Sequence, residues 1–137
     1  MVIHFVCRAN IYRSRLAEAY AKSLTEGKTN LHIISSGIEA KLNLNGPIAF
    51  VTQQVLKENS LLQLTKPSWA QTTQKLIDDS DVIVFMDDDV YNDATKFLKI
   101  PSTKYYIWHI PDVVGIFDQI KPSVNELLAQ LKLTQPP

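Results

Sequence analysis

The residues best equipped for chemistry are a cysteine and an arginine near the start of the chain. Cys7 is the only cysteine, and Arg13 follows it after five intervening residues. A loop of that length has room to curl so that its backbone N–H groups point inward, and a guanidinium can close it by gripping two oxygens of a phosphate group. A thiolate held in such a cradle is a nucleophile aimed at phosphorus. The pair therefore predicts a phosphate-binding site in which Cys7 attacks the substrate.

The segments on either side of this loop place it where α/β proteins bind ligands. Residues 2–6 are apolar and rich in β-branched side chains, which predicts a strand, and Ser14 can cap a helix from Arg15 to about Thr25. The N-terminus of that helix offers free N–H groups and the positive end of its dipole, which attract phosphate and favour a thiolate. A lone cysteine after a strand is otherwise a small, inert core residue. The position of the pair favours the catalytic interpretation.

The rest of the chain alternates between strand-like and helix-like segments. This alternation predicts a three-layer α/β fold, with a parallel sheet between two layers of helices. Ligands of such sheets bind beyond the carboxyl ends of the strands. Polar residues occupy those positions at Cys7–Ser14, Ser35–Gly37, Asp87 and Asp112. We predict further strands over 31–35, 82–86 and 104–108, and helices over 47–59, 68–79, 89–99 and 123–132, the last with Pro122 close to its start.

Size and composition limit the class of protein. The 137 residues have the usual length of one domain, which we expect to span 1–137. Lys plus Arg and Asp plus Glu both number 14, so the net charge is zero and predicts neither a nucleic acid nor a membrane as partner. No apolar run has the length of a membrane span, and the first residues lack the features of a signal peptide. We therefore expect a cytoplasmic, monomeric protein without a cofactor.

The sequence does not predict a metal site. A single cysteine excludes an intrachain disulfide and a multi-thiolate metal site. The histidines are dispersed along the chain, and we expect most of the acidic residues between 78 and 93 at helix ends and in solvated loops. The residues concerned are His4, His32 and His109, and Asp78, Asp79, Asp81, Asp87, Asp88, Asp89 and Asp93.

The segment around Cys7 resembles the opening of the low-molecular-weight protein tyrosine phosphatase family. Residues 5–14 read Phe-Val-Cys-Arg-Ala-Asn-Ile-Tyr-Arg-Ser, and Ala-Glu-Ala follows at 17–19. The family opens with Val-Cys-x-Gly-Asn-Ile-Cys-Arg-Ser-Pro-x-Ala-Glu. Three later segments are similar to family motifs in the same order, namely Ser35–Gly37, Asp81–Asp87 and Ile110–Gly115. The resemblance extends over nearly the whole chain.

The resemblance implies roles for individual residues. Cys7 would be the nucleophile, Arg13 the phosphate clamp and Asp112 the general acid, with Asp118 as the second candidate for the acid. It also implies four parallel strands in the order 2-1-3-4 and hydrolysis of a phosphotyrosine protein through a thiophosphate intermediate. Ser14 would stabilise the thiolate, and Asn10 would hold the shape of the loop. The phosphate-binding residues implied are Arg8, Ala9, Asn10, Ile11, Tyr12, Arg13 and Ser14.

Two departures from the family pattern lie within the loop. Tyr12 stands where the family has a second cysteine, so an oxidised Cys7 lacks the thiol that would trap it as a disulfide. The same absence argues against the arsenate reductases built on this scaffold, which need further cysteines. Ala9 replaces the loop glycine; it adds strain if the backbone there has a positive φ, and only a methyl group if it does not.

Two further departures concern charge and the walls of the site. Arg15 replaces the proline after the loop, and Arg8 adds another cation; both either strengthen anion attraction or point to solvent. The loop from Asp112 reads Asp-Val-Val-Gly, so aliphatic walls replace the aromatic ones that flank a phenyl ring in the family. These changes keep open a second function, a catalytically weak phosphate-binding or docking protein on the same fold. A phosphatase of small molecules is a third.

Overall fold

A computed structural model describes residues 1–102 and 105–134 of the chain. The strands are β1 (Val2–Cys7), β2 (His32–Gly37), β3 (Val82–Phe85) and β4 (Tyr105–Ile107). The α-helices are α1 (Arg13–Leu24), α2 (Phe50–Glu58), α3 (Gln74–Asp78), α4 (Asp88–Ala94) and α5 (Phe117–Gln130). Two short 3-10 helices, Ala40–Leu42 and Leu62–Leu64, lie before and after α2.

The four strands form one parallel sheet in the order β2-β1-β3-β4. β1 pairs with β2 from Val2 beside His32 to Cys7 beside Gly37. Because parallel strands end at the same edge of a sheet, the loops that follow β1, β2 and β3 meet there. The predicted α/β fold and the strand order implied by the resemblance are confirmed.

Alternate residues of β1 face opposite sides of the sheet. Phe5 packs among buried residues of α1 and α5, whereas Val6 packs among residues of α3 and α4. Each face of the sheet therefore has its own layer of helices, as the sequence predicts for a three-layer fold. The first face includes Cys7, Leu16, Ala17, Ile120, Val124 and Leu128, and the second includes Ile77, Ile83, Phe85, Val90 and Ala94.

The last helix begins earlier than the sequence predicts. α5 starts at Phe117 rather than Ser123, and Pro122 lies inside it. Phe117 and Ile120 are buried, and the Phe117 ring packs edge-on against Tyr20 of α1 at 5.8 Å between centroids. Burial of these side chains outweighs the backbone hydrogen bond that Pro122 cannot donate. Tertiary packing, rather than the proline, sets this boundary.

Several other boundaries also differ from prediction. α1 starts at Arg13 with Tyr12 before it, so Ser14 lies inside the helix and does not cap it. α3 follows Thr73 instead of beginning at Ser68, because the Thr73 hydroxyl accepts a hydrogen bond from the Leu76 amide at 3.2 Å and caps the helix. α4 ends at Ala94 rather than near residue 99. The predicted strand 104–108 appears as β4, and Lys104 lies outside the described residues.

Candidate active site

The loop between β1 and α1 lines a cavity of about 390 Å³. Cys7 ends β1 and Arg13 begins α1, so a strand and a helix hold the two residues on either side of the loop. Asp112, from the loop before α5, lines the same cavity. The structure thus brings together the three residues predicted to be catalytic. The other lining residues are Arg8, Ala9, Asn10, Ile11, Tyr12, Asn45, Ala49, Val51, Val113 and Val114.

A chain of hydrogen bonds positions the Ser14 hydroxyl beside the Cys7 sulfur. The Asn10 side-chain oxygen accepts from the Ala70 amide at 2.9 Å, so its nitrogen Nδ2 donates to Ser14 Oγ at 2.7 Å. Ser14 Oγ lies 2.9 Å from Cys7 Sγ. A Cys7 thiolate has no hydrogen to donate, so with the thiolate the Ser14 hydroxyl is the donor in this contact. A donor in that position stabilises a thiolate.

The Asn10 side chain also connects the loop to β2 and α1. Nδ2 donates a second hydrogen bond to Ser35 Oγ at 2.9 Å, and Ser35 donates to Glu18 Oε1 at 2.6 Å. Glu18 is buried, and its other oxygen accepts from Lys22 at 3.2 Å. Both hydrogens of the Asn10 side-chain amide are therefore donated to hydroxyl groups. The loop cannot rotate without breaking this network.

Asn10 carries the unusual backbone conformation of the loop. Its φ is 58°, in the left-handed region, which asparagine adopts more readily than most residues. Its N–H points to Cys7 Sγ at 3.3 Å. Ala9 has no positive φ. The alanine that replaces the family glycine thus adds a methyl group without backbone strain, and it gives no support to a loss of function.

Carbonyl oxygens of the loop are bound from outside the cavity. They accept hydrogen bonds from backbone and hydroxyl groups at 2.6 to 3.0 Å. None of the described residues accepts a hydrogen bond from the amides of Ile11 and Tyr12. These amides are left for an oxyanion in the cavity. The carbonyl pairs are Cys7 with the Ile38 amide, Arg8 with the Glu39 amide, and Ile11 with the Ala49 amide and the Thr52 hydroxyl.

Gly37, at the end of β2, is where the neighbouring strand comes closest to the loop. A Cβ atom at this position would lie 2.6 Å from the Arg8 carbonyl oxygen and 2.7 Å from the Asn10 amide nitrogen. Both are backbone atoms, which cannot swing aside as a flexible side chain can. Glycine is therefore required here for close approach of two backbones. The sequence places Gly37 at the end of a strand and in a segment similar to a family motif, but it predicts no close approach to the loop.

Arg13 is buried and held in a single orientation. Nη1 donates to Asp87 Oδ2 at 2.6 Å and to the Ile110 carbonyl at 2.8 Å, and Nε lies 3.8 Å from Asp112 Oδ1. With Nη1 engaged, the edge formed by Nε and Nη2 is the one that can grip two phosphate oxygens.

Asp87 is a site residue to which the sequence assigns no role. Its Oδ1 accepts from the Val90 amide at 2.7 Å and caps α4, while Oδ2 binds Arg13. Burial alone raises the pKa of Asp87, but the Val90 amide and the Arg13 guanidinium outweigh it and hold the pKa below its usual value. An anionic Asp87 therefore orients Arg13. No local pattern could reveal this contact, because 74 residues separate the partners.

The two candidates for the general acid occupy different surroundings. Asp112 lines the cavity, and its side chain is 69% exposed. Asp118 lies in the first turn of α5, 3.6 Å from Lys121, and does not line the cavity. The geometry favours Asp112.

The Arg8 side chain lies between two carboxylates beside the cavity. Nη1 is 2.8 Å from Glu39 and Nη2 is 2.9 Å from Asp93. The hydrogen bond to Glu39 raises the pKa of Arg8, burial opposes it, and Asp93 adds to the rise. Two acids engage the guanidinium, so the backbone of Arg8 rather than its charge contributes to the loop.

Tyr12 and a segment from elsewhere in the chain complete the walls. Tyr12 is buried, and its hydroxyl donates to the Val113 carbonyl at 2.8 Å. Residues 45–51 reach the cavity because the Ala49 amide binds the loop at Ile11. The sequence predicts no role for this segment, since no motif marks it. Apart from Tyr12, the apolar side chains that line the cavity are aliphatic, as the departures from the family pattern predict.

Residues 1–102 and 105–134 contain neither a candidate metal site nor a helix suited to span a membrane. These residues contain no group of three or more His, Cys, Asp or Glu side chains that could hold a metal ion. None of their helices has both the length and the apolar character that crossing a membrane requires.

Comparison with known families agrees with the arrangement around Cys7. Residues 2–112 match the family model for low molecular weight phosphotyrosine protein phosphatases. The chain belongs to this family. It is therefore a phosphatase, a hydrolase of phosphoric monoesters. The predicted family and the predicted class of enzyme are confirmed.

Solved structures share the fold of this phosphatase. SP-PTP, the low molecular weight protein tyrosine phosphatase of Streptococcus pyogenes, is 24% identical with a TM-score of 0.80, covering 95% of this chain and 92% of that one. A Bacillus subtilis low molecular weight protein tyrosine phosphatase is 25% identical with a TM-score of 0.74, covering 96% and 95%. The arginine phosphatase YwlE, as a Cys-to-Ser mutant with a phosphorylated active-site serine, is 23% identical with a TM-score of 0.76, covering 96% of each chain. No curated protein matches the sequence significantly.

Proposed function

We propose that this phosphatase removes phosphate from tyrosine side chains of proteins through a thiophosphate intermediate on Cys7. The observation that carries the proposal is the 2.9 Å contact between the Ser14 hydroxyl and Cys7 Sγ, beside a cavity that Arg13 and Asp112 also line. A thiolate, an oxyanion cradle and an acid around one cavity are the parts that cysteine-dependent phosphoryl transfer needs.

In the first step, the Cys7 thiolate attacks phosphorus and forms a sulfur–phosphorus bond while the ester phosphorus–oxygen bond breaks. The loop amides and Arg13 bind the phosphoryl oxygens, on which negative charge is concentrated. Protonated Asp112 gives its proton to the departing phenoxide, so tyrosine leaves as a neutral phenol. The exposure of Asp112 supports this role, because the leaving group must depart towards solvent.

In the second step, a water molecule attacks the same phosphorus atom. The Asp112 carboxylate accepts the proton of that water, and the sulfur–phosphorus bond breaks. Inorganic phosphate leaves, and Cys7 is again a thiolate that the Ser14 hydroxyl stabilises. The enzyme thus returns to its starting state with no cofactor consumed.

The walls of the cavity support an aryl substrate. Ile11, Ala49, Val51, Val113 and Val114 line it, and apolar walls stabilise a phenyl ring by burying its faces. The relatives from Streptococcus pyogenes and Bacillus subtilis are described as protein tyrosine phosphatases, which supports the same substrate. YwlE is described as an arginine phosphatase, so phosphoarginine is the substrate to compare. The cytoplasmic location and the monomeric state stay predictions.

Hydrolysis of an aryl phosphate by the wild type, Cys7→Ser, Asp112→Asn and Asp118→Asn tests the mechanism. We expect Cys7→Ser to be inactive and Asp112→Asn to lose on the order of 10²–10⁴ in kcat. Asp118→Asn is the matched control and should retain activity. Mass spectrometry of acid-quenched wild type should find a phosphoryl group on Cys7.

Three outcomes would count against parts of the proposal. Turnover by Cys7→Ser equal to that of the wild type would overturn the nucleophile. Loss of activity in Asp118→Asn but not in Asp112→Asn would reassign the acid. Equal kcat/KM for matched phosphotyrosine, phosphoserine and phosphoarginine peptides would remove the tyrosine preference and leave the phosphatase.

A further inference from the structure

Arg15, in the first turn of α1, is fully buried behind the phosphate-binding loop. A guanidinium is rarely buried unless several acceptors surround it, because desolvation of its charge is costly. Arg15 stands where the family pattern has a proline, which has no such donors. Arg15 therefore differs from the family pattern and is at the same time a fully buried residue.

The acceptors of Arg15 come from three separate segments. Nη1 donates to the carbonyls of Asn10 at 3.2 Å and Pro47 at 3.0 Å. Nη2 donates to Thr65 Oγ1 at 3.1 Å and to the Lys66 carbonyl. Nε has no partner among the described residues. One side chain thus joins the loop, the segment that carries the cavity wall, and the segment after Leu62–Leu64.

The charge of Arg15 is kept although its hydrogen-bond partners are neutral. Burial lowers the pKa of Arg15, whereas the charges of Glu18 and Cys7 favour its protonated form. Arginine stays protonated under such conditions, because its ordinary pKa is very high. A buried cation therefore lies on the side of the loop opposite the cavity.

The contact with Asn10 has a consequence for the cavity. The Asn10 carbonyl and the Ile11 N–H belong to one planar trans peptide, in which the two groups point in opposite directions. Arg15 binds the carbonyl from behind, so the Ile11 N–H is aimed at the cavity, and Ile11 lines that cavity. If this peptide turned over, a carbonyl oxygen would face the phosphate and repel it. Asn10, with its left-handed backbone, has no helix or strand to prevent that turn.

We propose that Arg15 is a positioning residue for phosphate binding. By holding the Asn10 carbonyl outside the cavity, it keeps the Ile11 N–H directed at the phosphoryl oxygens, and through Pro47 it keeps the wall segment 45–51 against the loop. This role rests on the proposed function, because the oxyanion it serves is the phosphate of the substrate.

Inorganic phosphate as a competitive inhibitor tests the role of Arg15 directly. We expect Arg15→Met to raise the Ki for phosphate and the KM for an aryl phosphate by on the order of 10- to 100-fold, as misplaced binding groups do. Arg15→Lys keeps the charge without the forked donors, and we expect an intermediate Ki. In ¹⁵N-labelled wild type the Ile11 amide signal should shift on adding phosphate, and this shift should shrink in both variants.

A core substitution far from the loop separates positioning from stability. Leu128→Ala empties a fully buried site in α5 and should lower the melting temperature while leaving the phosphate Ki unchanged. A phosphate Ki in Arg15→Met equal to that of the wild type would overturn the proposal. If Arg15→Met does not fold, Arg15→Lys decides in the same way. Full turnover by Cys7→Ser would contradict the proposed mechanism. If the wild type still binds phosphate, the role of Arg15 in phosphate binding stays intact.

Discussion

The hydroxyl of Tyr12 donates a hydrogen bond to the backbone carbonyl of Val113 at 2.8 Å, and so joins the phosphate-binding loop to the loop that carries Asp112. The Asp112 side chain itself is exposed, with Arg13 Nε 3.8 Å away. The loop of the proposed general acid is therefore anchored by a tyrosine at the position where the family has its second cysteine.

Removal of this hydroxyl should weaken general acid catalysis more than phosphate binding. We expect Tyr12→Phe to lower kcat about 10-fold for an aryl phosphate with a poor leaving group, less than the loss of the acid itself. An activated aryl phosphate, whose leaving group needs little protonation, should be affected much less. Tyr20→Phe is the control, because the Tyr20 hydroxyl binds Asn125 on the far side of α1. Equal losses for both substrates would show that Tyr12 does not act through Asp112.

Gly37→Ala should abolish phosphate binding, since the added methyl group would meet the loop backbone at 2.6 to 2.8 Å. The loop must then shift, and its backbone N–H groups no longer all point at the bound phosphate. Gly27→Ala is a suitable control: Gly27 has a φ of 87° and nothing within 4 Å of the added atom, so only backbone strain results. Calorimetric titration with phosphate should find binding in Gly27→Ala and none in Gly37→Ala. Unchanged affinity in Gly37→Ala would contradict the close approach.

Asp87→Ala should affect both activity and stability. Loss of the α4 cap should cost about 1 kcal/mol of unfolding free energy, and loss of the Arg13 partner should raise KM for the phosphate ester. Thr73→Ala removes only a cap, that of α3, and should lower stability by a similar amount without a kinetic effect. Urea unfolding and steady-state kinetics on both variants separate the two roles. Equal KM values in the two variants would deny Asp87 any role in orienting Arg13.

His4 should make the phosphatase sensitive to acid. It is buried, with Nε2 2.6 Å from Ser36 Oγ and Nδ1 3.0 Å from Ser80 Oγ. Burial, and to a smaller extent the Lys66 charge, lowers the pKa of His4 from 6.5 to about 3. Between these values the unfolded chain binds a proton that the folded chain does not. The contribution of neutral His4 to the free energy of unfolding is therefore full above pH 6.5 and falls as the pH is lowered towards 3.

The expected slope is about 1.4 kcal/mol per pH unit within that window. His4→Gln removes the titrating group and should flatten the dependence, whatever its effect on stability near neutral pH. His32→Gln is the control, because His32 is exposed on the neighbouring strand. Urea unfolding across the window measures both. A His4→Gln curve as steep as that of the wild type would assign the acid sensitivity to other groups.

Much of the site could be predicted because it is local in sequence. Cys7, Arg13 and Ser14 follow one another across a strand, a loop and a helix N-terminus, and such short connections have few ways to fold. The alternation of apolar segments was enough to predict the parallel sheet, and the family pattern supplied its order. The prediction for α5 was wrong because it relied on Pro122, whereas burial of Phe117 and Ile120 extends the helix past it.

By itself, the sequence determined the loop, the placement of its cysteine and arginine, and the α/β fold, since these depend on neighbouring residues and on the periodicity of apolar side chains. Only the tertiary structure decided which groups the long side chains of the site contact. Arg15 turns inward because the carbonyls of Pro47 and Lys66 accept its hydrogen bonds behind the loop. Asp87 orients Arg13, and the Tyr12 hydroxyl binds the Val113 carbonyl. Each of these contacts joins residues far apart in the chain. Their energies depend on burial and on acceptor geometry, which exist only once the sheet has brought those segments to one edge.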